Sequence, residues 1–267
     1  MGVVNVTPDS FSDGGKWLDA DTAIRHGLDL VAQGADLVDV GGESTRPGAL
    51  RIDAEEELRR IIPVVTGLVA EGVTVSVDTM RADVAERALH AGATLINDVS
   101  GGRADERMTQ VAATSGSPIV LMHWRGHAEA MQKLTQYDDV VADVIDELSA
   151  QVEAALSAGV RPEQVIVDPG LGFSKTGEQN WTVLAKLGAF TALGYPLLVA
   201  ASRKRFLGEL LAEESGELRP TDQREDATAA LSVICALAGV WCVRVHEPAA
   251  TADAVKVVAR LAEEGTP

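Results

Sequence analysis

Short runs of Val, Ile and Leu recur along the chain, each followed by a polar turn and then by apolar residues at helical spacing. The apolar runs predict strands at Gly2–Val6, Asp36–Val40, Thr74–Val77, Thr94–Asn97, Ile119–Met122, Val165–Val167, Leu197–Ala200 and Trp241–Val245. They lack the alternation of a half-exposed sheet, so they read as strands covered on both faces. Helices are predicted between and after them over 20–33, 53–71, 81–91, 104–115, 139–158, 178–193, 223–238 and 249–264. Gly34, Gly72, Gly92, Gly159, Gly194 and Gly239 stand where a left-handed residue would stop a helix. Eight βα units in 267 residues predict an α/β fold, a closed (β/α)8 TIM barrel forming a single domain over 1–267. An open doubly wound sheet would need a Gly-rich turn after the first strand, and Val6-Thr-Pro-Asp-Ser10 is not one.

Each apolar run ends in a residue that can bind or react: Asn5, Asp39, Asp78, Asn97 with Asp98, His123, Asp168, Ser202 with Lys204, and Arg244 with His246. Polar residues also mark where any buried strand meets solvent. Eight in a row, chosen from Asn, Asp, His, Lys and Arg, point instead to one site at the C-terminal mouth of a parallel barrel. Asp78, Asn97 and Asp168 suit the N–H edge of a flat heterocycle. Lys204, Arg244 and His246 suit a diphosphate or carboxylate. Strand 1 borders strand 8 in a closed barrel, so Asn5 falls beside that cationic group, where its carbonyl oxygen could hold a divalent ion. The implied ligand is planar at one end and anionic at the other.

Composition narrows the picture. With 40 acidic against 23 basic residues the formal charge is −17, which disfavours nucleic acid as a partner. Aromatics are only 4%, so the core must be aliphatic, as helices packed on a parallel sheet require. The longest uncharged stretch, Ala227–Val243, is too short for a membrane span, and no signal peptide opens the chain. Cys235 and Cys242 read as reduced core thiols, which fits the cytoplasm. Residues 7–19 and 41–52 are longer than ordinary connections and rich in Gly, Ser, Asp and Pro, as mobile loops over a barrel mouth are.

Asn5-Val-Thr-Pro-Asp-Ser-Phe-Ser-Asp-Gly14 and Asp39-Val-Gly-Gly-Glu-Ser-Thr-Arg-Pro-Gly48 resemble the two loop signatures of the dihydropteroate synthase family. Val77-Asp-Thr79, Ile96-Asn-Asp98, Leu121-Met-His123, Asp168-Pro-Gly-Leu-Gly-Phe173, Ser202-Arg-Lys204 and Arg244-Val-His246 follow in the family's order. The resemblance implies a transferase of folate biosynthesis that joins a dihydropterin diphosphate to p-aminobenzoate, with diphosphate released. Asp78, Asn97, Asp168 and Lys204 would hold the pterin, with Met122 packed near it. Asn5, Arg244 and His246 would bind the diphosphate, Asn5 also ligating Mg²⁺. Asp39 would organise the first loop, and it joins Asp78, Lys204 and Arg244 as the expected catalytic set. Thr45, Arg46, Pro47, Phe173 and Ser202 would frame the p-aminobenzoate site, where sulfonamides compete. The family also implies a homodimer through the later helices. The segment 124–137 matches weakly, and no role is carried across it.

Other signals are weaker. Gly170-Leu-Gly-Phe-Ser-Lys-Thr-Gly177 looks like a phosphate loop but lacks the Gly-Lys-Ser/Thr ending. His123 and His127 have zinc-like spacing without a cysteine partner. A corrinoid-dependent methyltransferase would share the pterin contacts but has no use for Ser44-Thr-Arg-Pro47 or Ser202-Arg-Lys204. A silent pterin-binding paralogue would not need every catalytic position filled.

Overall fold

The computed structural model describes residues 1–7, 20–44, 51–126 and 134–265. Its strands are β1 (Gly2–Asn5), β2 (Val38–Gly41), β3 (Val75–Asp78), β4 (Leu95–Asp98), β5 (Ile119–Met122), β6 (Val165–Asp168), β7 (Leu198–Val199) and β8 (Cys242–Val243). β1 to β6 form one parallel sheet in chain order, and β7 pairs with β8. Two parallel bridges close the ring: Val167 with Leu197 between β6 and β7, and Gly2 with Val245 between β8 and β1. The second is reinforced by the Val245 amide on the Met1 carbonyl at 2.9 Å and by the Met1 amino group on the Val243 carbonyl at 3.0 Å. The expected barrel is present, every strand within two residues of its predicted start.

Around it stand α1 (Ala20–Ala32), α2 (Ala54–Ala70), α3 (Ala82–His90), α4 (Met108–Ser115), α5 (Val140–Ser157), α6 (Gly177–Leu184), α7 (Leu187–Thr191), α8 (Arg205–Leu210), α9 (Glu225–Leu237) and α10 (Pro248–Glu263). Asp53 caps α2 by accepting from the Glu56 amide at 2.8 Å, and Asp139 caps α5. All six predicted helix-stopping glycines have positive φ. Two helix predictions need correction. The single helix over 178–193 is broken at Lys186, whose φ of −123° leaves the helical region, giving α6 and α7. The six-residue α8 was not foreseen, since it is too short to show a period.

The sheet is buried on both faces. Val4, Val40, Val75 and Val77 pack outward against α1 to α3, and Ile119, Leu121, Val165 and Val167 pack against α4 to α7. A third cluster, Met1, Leu95, Val120, Ile166, Leu198 and Cys242 with Leu37 and Ala200 against it, fills the inside of the ring. This cluster is the floor of the site. Side chains alternate along a strand, so the position two residues after each floor residue faces inward one layer higher. After Leu37, Leu95, Val120, Ile166 and Cys242 those positions are Asp39, Asn97, Met122, Asp168 and Arg244, and after Ala200 it is Ser202. On β3 the same face carries Ser76 and then Asp78, on β1 it ends at Asn5, and after β8 it continues to His246. The period of two thus carries the inner surface from an apolar floor to a polar mouth.

Candidate active site

Above the floor the side chains form one connected group. Arg244 donates from Nε to Asp39 Oδ2 at 2.6 Å and from a terminal nitrogen to Asp78 Oδ2 at 2.9 Å. Asn97 donates to the same Asp39 oxygen at 2.8 Å. Asp39 and Arg244 lie 205 positions apart in the chain, and only barrel closure brings β2 and β8 together. Asp39 is fully buried, and its Oδ1 has no hydrogen-bond partner among the described residues. Residues 8–19, which Asp39 was expected to organise, lie outside the described residues; within them it ties Asn97 to Arg244.

Asp168 ends β6 and accepts the Gly170 amide on Oδ1 at 2.7 Å. No described residue bonds its other oxygen, which leaves that oxygen for a ligand N–H. Burial raises Asp168 to about 6, against the backbone bond from Gly170 and the nearby Lys204. Burial also pushes Asp78 up, opposed by Arg244 and helped by Asp39. Lys204, just before α8, has its ammonium 4.3 Å from the centre of the Phe173 ring and donates no hydrogen bond to a described residue. Burial lowers it to about 8, with Arg244 pushing the same way. Gly172, at φ 79°, must stay a glycine: a Cβ there would lie 2.9 Å from Lys204 Cδ.

Ser202 and His246 meet beside this group. Ser202 Oγ lies 2.9 Å from His246 Nδ1 and accepts the His246 amide at 3.2 Å, so its hydroxyl is bound to the residue expected to hold the anion. Met122 is buried at the end of β5. Asn5 caps β1, half-buried, and its amide bonds no described residue. Among the described residues no three His, Cys, Asp or Glu side chains come together to hold a metal. A lone amide oxygen beside the mouth still fits Mg²⁺, which keeps several waters and is commonly carried by substrate phosphates. Thr45, Arg46 and Pro47 lie outside the described residues.

The expected cationic group is braced by carboxylates: Arg244 pairs with Asp39 and with Asp78, one of the acids expected at the heterocycle end. Several supporting residues were missed. Asn180 accepts the Gly172 amide at 2.7 Å and donates to the Thr176 carbonyl at 2.6 Å. Gln151, on α5, donates to the Met122 carbonyl at 3.1 Å. Lys175 lies buried within the β6–α6 loop. Only Lys175 left a trace in the sequence, as the lysine of the spurious phosphate loop.

The fold and site together define a (β/α)8 barrel with a connected group of acidic and basic side chains at its C-terminal mouth. The chain belongs to the pterin binding enzyme family, whose model matches residues 1–246. It is 56% identical to the dihydropteroate synthase of Mycobacterium leprae over 259 residues, covering 97% of this chain and 91% of that protein. The dihydropteroate synthase of Xanthomonas albilineans in complex with 7,8-dihydropteroate superposes with a TM-score of 0.87 at 40% identity, covering 100% of this chain and 93% of that one. The Yersinia pestis dihydropteroate synthase with a sulfonamide drug superposes with a TM-score of 0.91 at 39% identity, covering 98% and 93%.

Proposed function

We propose that this chain catalyses the dihydropteroate synthase reaction, joining (7,8-dihydropterin-6-yl)methyl diphosphate to p-aminobenzoate with release of diphosphate. The observation that carries it is the Asn97–Asp39–Arg244–Asp78 group beside Asp168 and Lys204, in a chain that matches dihydropteroate synthases over nearly its whole length.

Asp168 takes the N–H edge of the pterin, with Asn97 and Asp78 completing its in-plane partners and Met122 below the ring. Lys204 donates to the ring's acceptor side. Arg244, His246 and Asn5 face the diphosphate; Arg244, fixed by Asp39 and Asp78, needs no reorganisation as charge grows on the leaving oxygens. Asn5 and the substrate's own phosphate oxygens would hold Mg²⁺, which supplies further charge neutralisation there when bound. The methylene C–O bond breaks with its electron pair leaving on diphosphate. The electron-rich dihydropterin carries the positive charge at carbon, the arylamine nitrogen forms the new C–N bond, and its surplus proton is lost. Phe173 and Ser202, with Thr45, Arg46 and Pro47, frame the arylamine, and the same place would admit sulfonamides. No protein nucleophile is needed.

We also read residues 1–267 as one domain working in the cytoplasm, where the buried thiols of Cys235 and Cys242 stay reduced, and as a homodimer. Ile234 and Leu237 on α9, Trp241 just after it, and Val257 and Leu261 on α10 leave a large apolar surface exposed, suited to a second copy. No helix among the described residues is long and apolar enough to cross a membrane. The test is diphosphate release by purified protein with each substrate singly and with both. Release that requires both supports the synthase, methyl transfer would support the corrinoid reading, and pterin binding without turnover would support a silent paralogue.

A further inference from the structure

Two motifs without a role in that reaction meet under the pocket. Lys175, from the spurious phosphate loop, and His123, from the spurious zinc spacing, are both buried, with Lys175 Nζ 3.0 Å from His123 Nδ1. The same ammonium donates to the Gly170 carbonyl at 3.2 Å and the Phe173 carbonyl at 3.3 Å. Burial lowers Lys175 to about 7; when protonated it has three protons, and here each finds an acceptor. Since Lys175 donates to Nδ1, the imidazole carries its own proton on Nε2, which donates to Glu147 at 3.0 Å. Burial, then the charge of Lys175, holds His123 down to about 3, so the ring stays neutral.

The carbonyls gathered by Lys175 belong to the segment that carries the pocket. Gly170, at φ 69°, gives its amide to Asp168 and its carbonyl to Lys175, so the lysine holds the residue whose amide aims the carboxylate. Phe173 gives its ring to Lys204 and its carbonyl to Lys175. Ser174 is a non-glycine residue at φ 47°, a conformation that persists only where surroundings over-determine it. Its carbonyl is held by the Tyr137 hydroxyl at 2.9 Å, and Lys175 follows directly. A loop with its carbonyls turned inward would otherwise leave them unpaired beneath the ligand.

We propose that Lys175, seated on His123, is a positioning residue that sets Asp168 and Phe173 for the pterin, so that pterin affinity depends on it through Asp168. This rests on the reading of the site as a pterin pocket, and the experiment separates the two. Binding of pteroic acid is measured by calorimetry for the full chain and for Lys175→Met, Asp168→Asn and the double variant, with thermal melting recorded alongside. Wild-type protein that does not bind pteroic acid overturns the pterin reading itself. With wild-type binding intact, Lys175→Met is expected to raise Kd at least tenfold, yet to change it less than threefold in the Asp168→Asn background. In turnover, KM for the dihydropterin diphosphate rises while kcat at saturation stays within threefold. A Kd within twofold of wild type for Lys175→Met, or a full tenfold loss repeated in the Asp168→Asn background, overturns the proposal. Should Lys175→Met not fold, the His123 pair decides. His123→Asn keeps an acceptor where Nδ1 stood and should restore affinity to within threefold of wild type, whereas His123→Leu should lose tenfold; equal losses overturn it.

Discussion

Replacing Lys204 with methionine should make the ligand-free protein more stable and useless as a catalyst. The ammonium lies in the pocket without a hydrogen bond to any described residue, and burial lowers it from 10.5 to about 8. At about 1.4 kcal/mol per pH unit, holding the charge in place costs about 3 kcal/mol at neutral pH. The Phe173 ring 4.3 Å away returns about 1 kcal/mol. Methionine keeps most of the aliphatic stem and adds no charge, so Lys204→Met should gain about 2 kcal/mol, or about 5 °C in melting temperature for a chain of this size. The sign has a pH signature. A lysine with a lowered folded pKa costs stability fully at pH 7, and the cost fades as pH rises from about 8 to 10.5. The advantage of the variant should therefore be largest at pH 7 and small at pH 10.5. The assay is melting of ligand-free protein at both pH values, with diphosphate release measured in parallel and expected to fall at least a hundredfold. A variant that melts below wild type at pH 7 would refute the reasoning, because the ammonium would then be stabilising its own pocket.

Removing Arg244 should do the reverse. Arg244→Met strands Asp39 and Asp78 without their cation and should lose about 3 kcal/mol at pH 8, the deficit narrowing toward pH 5 as Asp78, already raised by burial, protonates; urea unfolding at both pH values checks it. Asp168 must be ionised to take the pterin edge, so KM for the dihydropterin diphosphate should rise about tenfold per pH unit below about 6, and Asp168→Asn should flatten that limb of the profile. For the empty fold the sign is opposite, since a carboxyl raised from 3.8 to about 6 contributes stability below that window that is lost as pH rises through it. Chelation of Mg²⁺ should reduce diphosphate release while leaving the melting temperature within 1 °C or so, about what a substrate-borne ion implies; a large drop in melting temperature would mean a structural metal instead.

Strand positions and their polar ends were legible because a doubly covered strand needs an unbroken apolar run and its mouth does not. The glycine stops were legible because left-handed φ excludes most other residues. The break at Lys186 was not, because Val183, Leu184, Leu187 and Phe190 keep helical spacing across it and all are buried. Among the site residues, position could be read and partnership could not. Asp39 and Arg244 are joined over 205 residues, and Lys175 meets His123 over 52, with nothing local in either segment to announce the other. Sorting strand-end residues by type therefore gave their places at the mouth without the pairing of Arg244 with Asp39 and Asp78.

The apolar floor also explains why the pocket is costly when empty. Residues one layer lower on the same inward faces, Leu95, Val120, Ile166, Leu198 and Cys242, exclude water from beneath the charges. The low polarity of that floor raises Asp168 and lowers Lys204 together. A ligand bringing N–H groups to the first and acceptor atoms to the second restores both toward their ordinary values, so the free energy stored in the empty mouth is returned on binding. Such a site recognises its ligand through groups that water would otherwise have satisfied, and the apolar floor that makes it a poor place for bare charges is what makes it selective.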